Sequence, residues 1–121
     1  MSMKGGTLTY TIYLTKSEPI AWSMGWCTTT EEILSENFDH IRYTFILNGQ
    51  DIPLDQFVKN EYYSEKTQGY CRVYRTVLTD WTSGECIIQT VTTIDQPIND
   101  GWDDYAAGTR TYIYKVHVTP E

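Results

Sequence analysis

Apolar and polar positions alternate with a period of two over most of this chain. Leu8, Tyr10, Ile12 and Leu14 interleave with Thr9, Thr11, Tyr13 and Thr15. That is the pattern of a half-buried strand whose Leu8 set faces a core. Lys16-Ser17-Glu18-Pro19 ends it. Between Ile20 and Cys27 a second short strand carries Trp22 and Trp26 on one parity as core plugs, and Gly25 between them predicts a bulge. Ile41, Tyr43, Phe45 and Leu47 alternate with Arg42, Thr44 and Ile46, and Asn48-Gly49 follows at once. Asn-Gly predicts a type I′ hairpin turn, because both central residues of that turn need positive φ. Gln50-Asp51-Ile52 returns briefly and Pro53 stops it. From Leu54 to Gly69 the periodicity fades, and Lys59 to Lys66 reads as an exposed loop or a ragged edge strand.

The longest strand-like stretch runs from Cys71 to Ile94. Two runs rich in β-branched and aromatic residues flank the polar centre Thr79 to Gly84, which reads as strand, loop, strand. The pair is long enough to lie in mid-sheet or to bridge two sheets. Val73 and Val77 face one way, Tyr74 and Leu78 the other; Arg75 shares the valine parity, so Tyr74 and Leu78 are predicted inward. Tyr112, Tyr114, Val116 and Val118 alternate with Thr111, Ile113, Lys115 and His117 in the last strand, which ends near Pro120. One helical signal interrupts the strands, from Thr30 to Asn37. Thr29 caps it, Glu32 completes a capping box, and Ile33, Leu34 and Phe38 give a narrow apolar stripe. The predicted core is Leu8, Tyr10, Ile12, Leu14, Trp22, Phe45, Leu47, Val91, Tyr114 and Val116. About seven strands with regular turn signals predict an all-β, two-layer antiparallel sandwich with Greek-key connections and one short helix. A barrel is the rival architecture.

At 121 residues the chain suits a single domain, here assigned to residues 7–119, with residues 1–6 a disordered or appended start. No apolar run reaches the roughly 18 residues of a membrane span, and Met1 to Gly6 carries no signal-peptide pattern. The net charge of -7 and scattered basic residues argue against a nucleic-acid partner. Ten Tyr and four Trp are many for this length, and such residues build pleated cores and binding surfaces alike.

Candidate chemistry is sparse. His40 and His117 are far apart and fit no metal-ligand spacing, and no nucleophile elbow or phosphate loop is present. No catalytic role and no cofactor are expected. Asp95, Asn99, Asp100, Asp103 and Asp104 supply hard oxygen donors for a calcium loop, although Gly101 falls out of EF-hand register; the competing reading is that they build turns with their own backbone. Trp26, Trp81, Trp102, Tyr62 and Tyr63 are the loop-placed rings on which a glycan would stack. Other candidate partners are neighbouring domains or another protein.

Taken in order, Trp22 to Cys27, Glu32-Ile33-Leu34 with Asn37, Phe45 to Gln50, Cys71 with Tyr74, Leu78 to Trp81 with Gly84, and Ile98 to Tyr105 with Gly108 and Tyr112 resemble uncharacterised immunoglobulin-like β-sandwich modules of bacterial secreted or cell-surface proteins. The resemblance covers roughly Thr7 to Thr119. It implies an immunoglobulin-like fold, an extracellular or cell-surface setting, and a non-catalytic accessory, spacer or protein-interaction role, with carbohydrate binding as the alternative. Cys86 departs from it, standing where a polar residue such as histidine is expected.

Three cysteines allow one disulfide plus one thiol, or three thiols. If Cys71 to Ile94 folds as a hairpin about Asp80 to Ser83, Cys71 and Cys86 lie about six residues out of register, or about 20 Å, too far to bond. Cys27 is then one partner of any bond. Cys71 is favoured as the other, because Cys27 ends a strand before a turn and Cys71 begins one after a turn.

Overall fold

The computed structural model describes residues 6–120. Of the expected disordered start, residues 1–5 lie outside the described residues, while Gly6 already opens the first strand. The elements are β1 (Gly6–Thr15), β2 (Ile20–Thr28), α1 (Glu31–Phe38), β3 (Ile41–Leu47), β4 (Gln50–Ile52), a 3₁₀ turn (Leu54–Gln56), β5 (Val58–Ser64), β6 (Gly69–Leu78), β7 (Gly84–Ile94), β8 (Ile98–Asn99), β9 (Asp104–Tyr105) and β10 (Gly108–Thr119).

Two sheets face one another. One has five strands in the order β1-β10-β7-β3-β4, the other three in the order β2-β6-β5, and β8 and β9 form a small separate ribbon. Ladders are antiparallel except between β1 and β10, which run parallel over the whole of β1. The core between the sheets holds Leu14, Met24, Tyr43, Phe45, Ile88, Ile94, Val116 and Val118. Asn48 and Gly49 both have positive φ, 49° and 82°, as the I′ turn between β3 and β4 requires.

Several local expectations need correction. Of the two alternatives for Cys71 to Ile94 the hairpin fails and the bridge holds: β6 and β7 are not paired but lie in different sheets, and residues 79–83 carry the chain across. Trp81 drives that crossing. Its ring is 7% exposed and its indole N–H donates to the Glu18 carbonyl at 2.8 Å, plugging the end of the core where β1 turns into β2. Gly25 makes no bulge, since β2 pairs with β6 in unbroken register. Its bareness serves close approach: a Cβ there would meet the Arg72 carbonyl at 2.9 Å and Val73 Cγ2 at 2.8 Å. Thr30, one residue later than expected, caps α1, its Oγ1 accepting from the Ile33 N–H at 3.1 Å. Val91 is only half-buried, because β7 turns Cys86, Ile88, Thr90 and Ile94 inward on the other parity. Leu8 and Tyr10 are 46% exposed. They do sit on the inner parity of β1, but the narrower sheet puts no strand over them.

Cys27 and Cys71 form a disulfide between directly opposed residues of β2 and β6, with Cα atoms 4.1 Å apart. The bond therefore ties neighbours in one sheet. Cys71 is fully buried, outside the main core, and shares a hollow with Leu34 of α1. Cys86 is the buried free thiol; burial pushes its pKa up, partly offset by a hydrogen bond with Asn48. Its exclusion from the bond follows from its place in the opposite sheet rather than from hairpin register.

Candidate functional site

A three-stranded sheet cannot cover a five-stranded one. The uncovered side lies where β2, the edge of the small sheet, faces β10 and the overhanging β1. There the two layers part into a groove of about 570 Å³, lined along β2 by Trp22, Met24 and Trp26 and opposite by Tyr43, Tyr112 and Tyr114. The size is that of a binding cleft.

Aromatic contacts shape its walls. The Trp22 ring stands edge-on to Tyr114, with centroids 4.7 Å apart, and to Phe45 at 5.9 Å. Tyr10 stacks on Tyr114 at 5.4 Å and on Tyr112 at 6.3 Å, which continues the aromatic floor onto β1. Trp26 meets Tyr105 at 4.8 Å at the mouth, and its indole N–H donates to Asn37 Oδ1 at 2.9 Å. The Tyr43 hydroxyl spans the gap between layers and donates to the Gly25 carbonyl at 2.8 Å. Burial, with a smaller contribution from Tyr74, holds the Tyr43 phenol well above its ordinary range. Tyr105 is pushed up to about 12 by burial first, then by its hydrogen bond to Asp100 and the nearby Asp100 and Asp103 charges. Burial also raises Tyr114. Arg110 is the one basic residue of the lining, and it donates to the Tyr112 hydroxyl at 3.3 Å.

Of the rings singled out from the sequence, Trp26 lines this groove and Trp81 is buried with no free face. Trp102 is 46% exposed and lies over Gly69, where a Cβ would come within 2.5 Å of its Cη2. Tyr62 and Tyr63 are exposed on β5 as consecutive strand residues, so they point to opposite faces. Tyr63 packs edge-on to Tyr70, and Tyr62 lies under Arg75.

The acidic stretch closes on itself. Asp100 Oδ1 accepts from the Trp102 and Asp103 N–H groups at 2.8 and 2.7 Å, and Asn99 Oδ1 accepts from Gly101 N–H at 2.7 Å. Asn99 Nδ2 donates to Asp104 Oδ1 at 2.8 Å, while Asp95 pairs with His40 at 2.8 Å, away from the turn. These side chains hold the β8–β9 ribbon. Among the described residues no three or more His, Cys, Asp or Glu gather in a metal-holding group. His117 faces Glu85 at 3.7 Å and stacks on Tyr13, remote in register from the His40 pair.

Neither a family model nor a curated protein matches this chain. A solved structure of PbICP-C in complex with falcipain-2 matches it with a TM-score of 0.53, at 16% identity, over 98% of this chain and 94% of that one. The fold is an immunoglobulin-like sandwich. Within such a sandwich the groove is an opening at one side of the two layers. Sequence reasoning placed Trp22 and Tyr114 in a closed core, because their parity is inward. The signal for an opening was the pair Leu8 and Tyr10 on the same parity as Leu14, one apolar row longer than the small sheet covers.

Proposed function

We propose that this domain, spanning residues 7–119, is a non-catalytic protein-interaction module of an exported bacterial protein, placed as an accessory or spacer unit. The observation that carries the reading is the aromatic groove, held open between the sheets and walled by Trp22, Trp26, Tyr112 and Tyr114. Aromatic rings that are rigid and half-exposed bury area at low entropic cost, which is what protein-binding surfaces use. The disulfide supports the extracellular setting, since such bonds persist in oxidising compartments. PbICP-C, of similar fold, is a protein seen in complex with falcipain-2.

The test is a selection of displayed peptides and small domains against the folded chain, alongside a glycan array. The expected result is polypeptide binders whose hydrogen-exchange footprint covers β2 and β10. Saturable glycan binding centred on Trp102, with no polypeptide binder, would transfer the function to carbohydrate.

A further inference from the structure

We propose that the free edge of β2 is a strand-acceptor site. An extended segment of a partner protein, alternating apolar residues and carrying lysine or arginine at one end, adds to the small sheet as a fourth strand over Leu8, Tyr10 and Tyr112. The inference rests on the protein-binding reading above and gives its partner a chemistry.

The backbone of β2 supplies the first argument. The opposed Cys27 and Cys71 have Cα atoms 4.1 Å apart, the spacing of a non-hydrogen-bonded pair. Alternation along β2 then turns the N–H and C=O groups of Ala21, Ser23 and Gly25 away from β6, toward the groove that these residues line. The Gly25 carbonyl is taken by Tyr43. The outward groups of Ala21 and Ser23 have no partner among the described residues. Backbone groups in that state are matched best by the backbone of another strand.

Edge composition supplies the second. Sheet edges ordinarily carry charges that repel a further strand. Here neither the ten residues of β1 nor the nine of β2 include one, in a chain that is 21% charged. The apolar row of Leu8, Tyr10 and Ile12 has the period-two spacing that a strand laid beside β2 would meet side chain for side chain.

Charge selects the occupant. The mouth of the groove lies beside the β8–β9 ribbon, where Tyr105 packs on Trp26 and Asp100 and Asp103 surround it. From Asp95 to Thr109 the chain has no lysine or arginine, and Arg110 is the single basic residue of the lining. A segment with basic residues at that end is attracted. A second copy of this chain is not, since each copy carries -7 and the same acidic mouth.

The probe is a synthetic peptide matching the nine residues of β2, alternating valine and threonine, with two lysines at one end. The expected results are saturable binding to the full chain and slowed exchange of the Ala21 and Ser23 amides. N-methylation of alternate peptide nitrogens should weaken binding about tenfold or more. Tyr10→Lys, on the groove side of β1, should weaken it by a similar factor, and Tyr13→Lys, on the opposite parity, by no more than about twofold. Equal affinity of the methylated peptide, or exchange protection confined to other elements, overturns strand addition while leaving protein binding in place. Failure of both this peptide and every displayed polypeptide overturns the protein-binding reading itself. Dimerisation of the chain with the same β2 protection and no peptide would make a second copy the occupant and overturn the proposal.

Discussion

Reduction of the Cys27–Cys71 bond tests how much of this small sandwich is stabilised through its unfolded state. The bond closes a loop with a sequence separation of 44 residues. Chain-entropy scaling gives about 4 kcal/mol at 25 °C for a loop of that length. With an unfolding entropy of roughly 2.1 cal/mol/K per residue, a domain of about 120 residues loses about 15 °C of Tm. The native side of the balance should change little, because β2 and β6 are paired by their backbones over the whole of β2, independently of the sulfurs. Urea unfolding of oxidised and reduced protein measures the difference, with m-values read alongside. The expected outcome is a midpoint lower by about 2 M for m near 2 kcal/mol/M, and a steeper slope for the reduced chain, whose unfolded ensemble is freer. Non-reducing peptide mapping should find Cys86 unlinked. A loss below about 1 kcal/mol would refute the reasoning, since it would mean that the unfolded chain is constrained without the bond.

Three further outcomes follow from the geometry. Gly25→Ala should cost about 2 kcal/mol by urea titration, because the new methyl meets the Arg72 carbonyl at 2.9 Å and backbone cannot swing away. Tyr43→Phe should cost about 1 kcal/mol and speed exchange at the β2 edge, since it removes the hydroxyl that bridges the layers to the Gly25 carbonyl at 2.8 Å. Stability should fall as the pH rises through the alkaline range, first from about pH 9, where the unfolded chain releases the Cys86 proton that burial retains in the fold, and more steeply above pH 10. Tyr43 and Tyr105 keep their protons in the folded chain where the unfolded chain releases them near pH 10, and the loss continues up to about 12 for Tyr105 and higher for Tyr43. Tyr105→Phe should flatten that alkaline slope in urea midpoints taken across the range.

What the sequence displayed was local order. Asn48-Gly49 announced its turn because positive φ at two successive residues is a demand that few sequences meet. The inward set of β6, Tyr74 and Leu78, was legible from the arginine on the other parity, and both residues pack against the core. What stayed hidden depends on the opposite sheet. The row from Leu8 to Leu14 has one pattern and two fates: Leu14 is 5% exposed at the closed end, and Leu8 is 46% exposed at the open one. Nothing along β1 encodes how wide its partner layer is. The same blindness left β6 and β7 open between a hairpin and a bridge across two sheets, since period-two alternation does not say which sheet a strand enters; the bridge is what forms. Of the groove itself, the sequence offered Trp26 as a surface ring. Trp22 and Tyr114, two of its other walls, were read as core because inward parity and burial were taken as one property.

The parallel pairing of β1 with β10 has a mechanical side. Gly6 lies beside Arg110 and Thr15 beside Thr119, so the chain enters the first strand at one end of the sandwich and leaves the last strand at the other. Tension applied through those two strands pulls along the ladder rather than across it. Its evenly spaced, slanted hydrogen bonds are loaded together in shear, not opened one after another like a zip. The domain must yield over the full ten residues of β1 before the core behind it is exposed. A strand added at the neighbouring free edge would sit outside that clamp, so a bound partner could be held while the domain bears load.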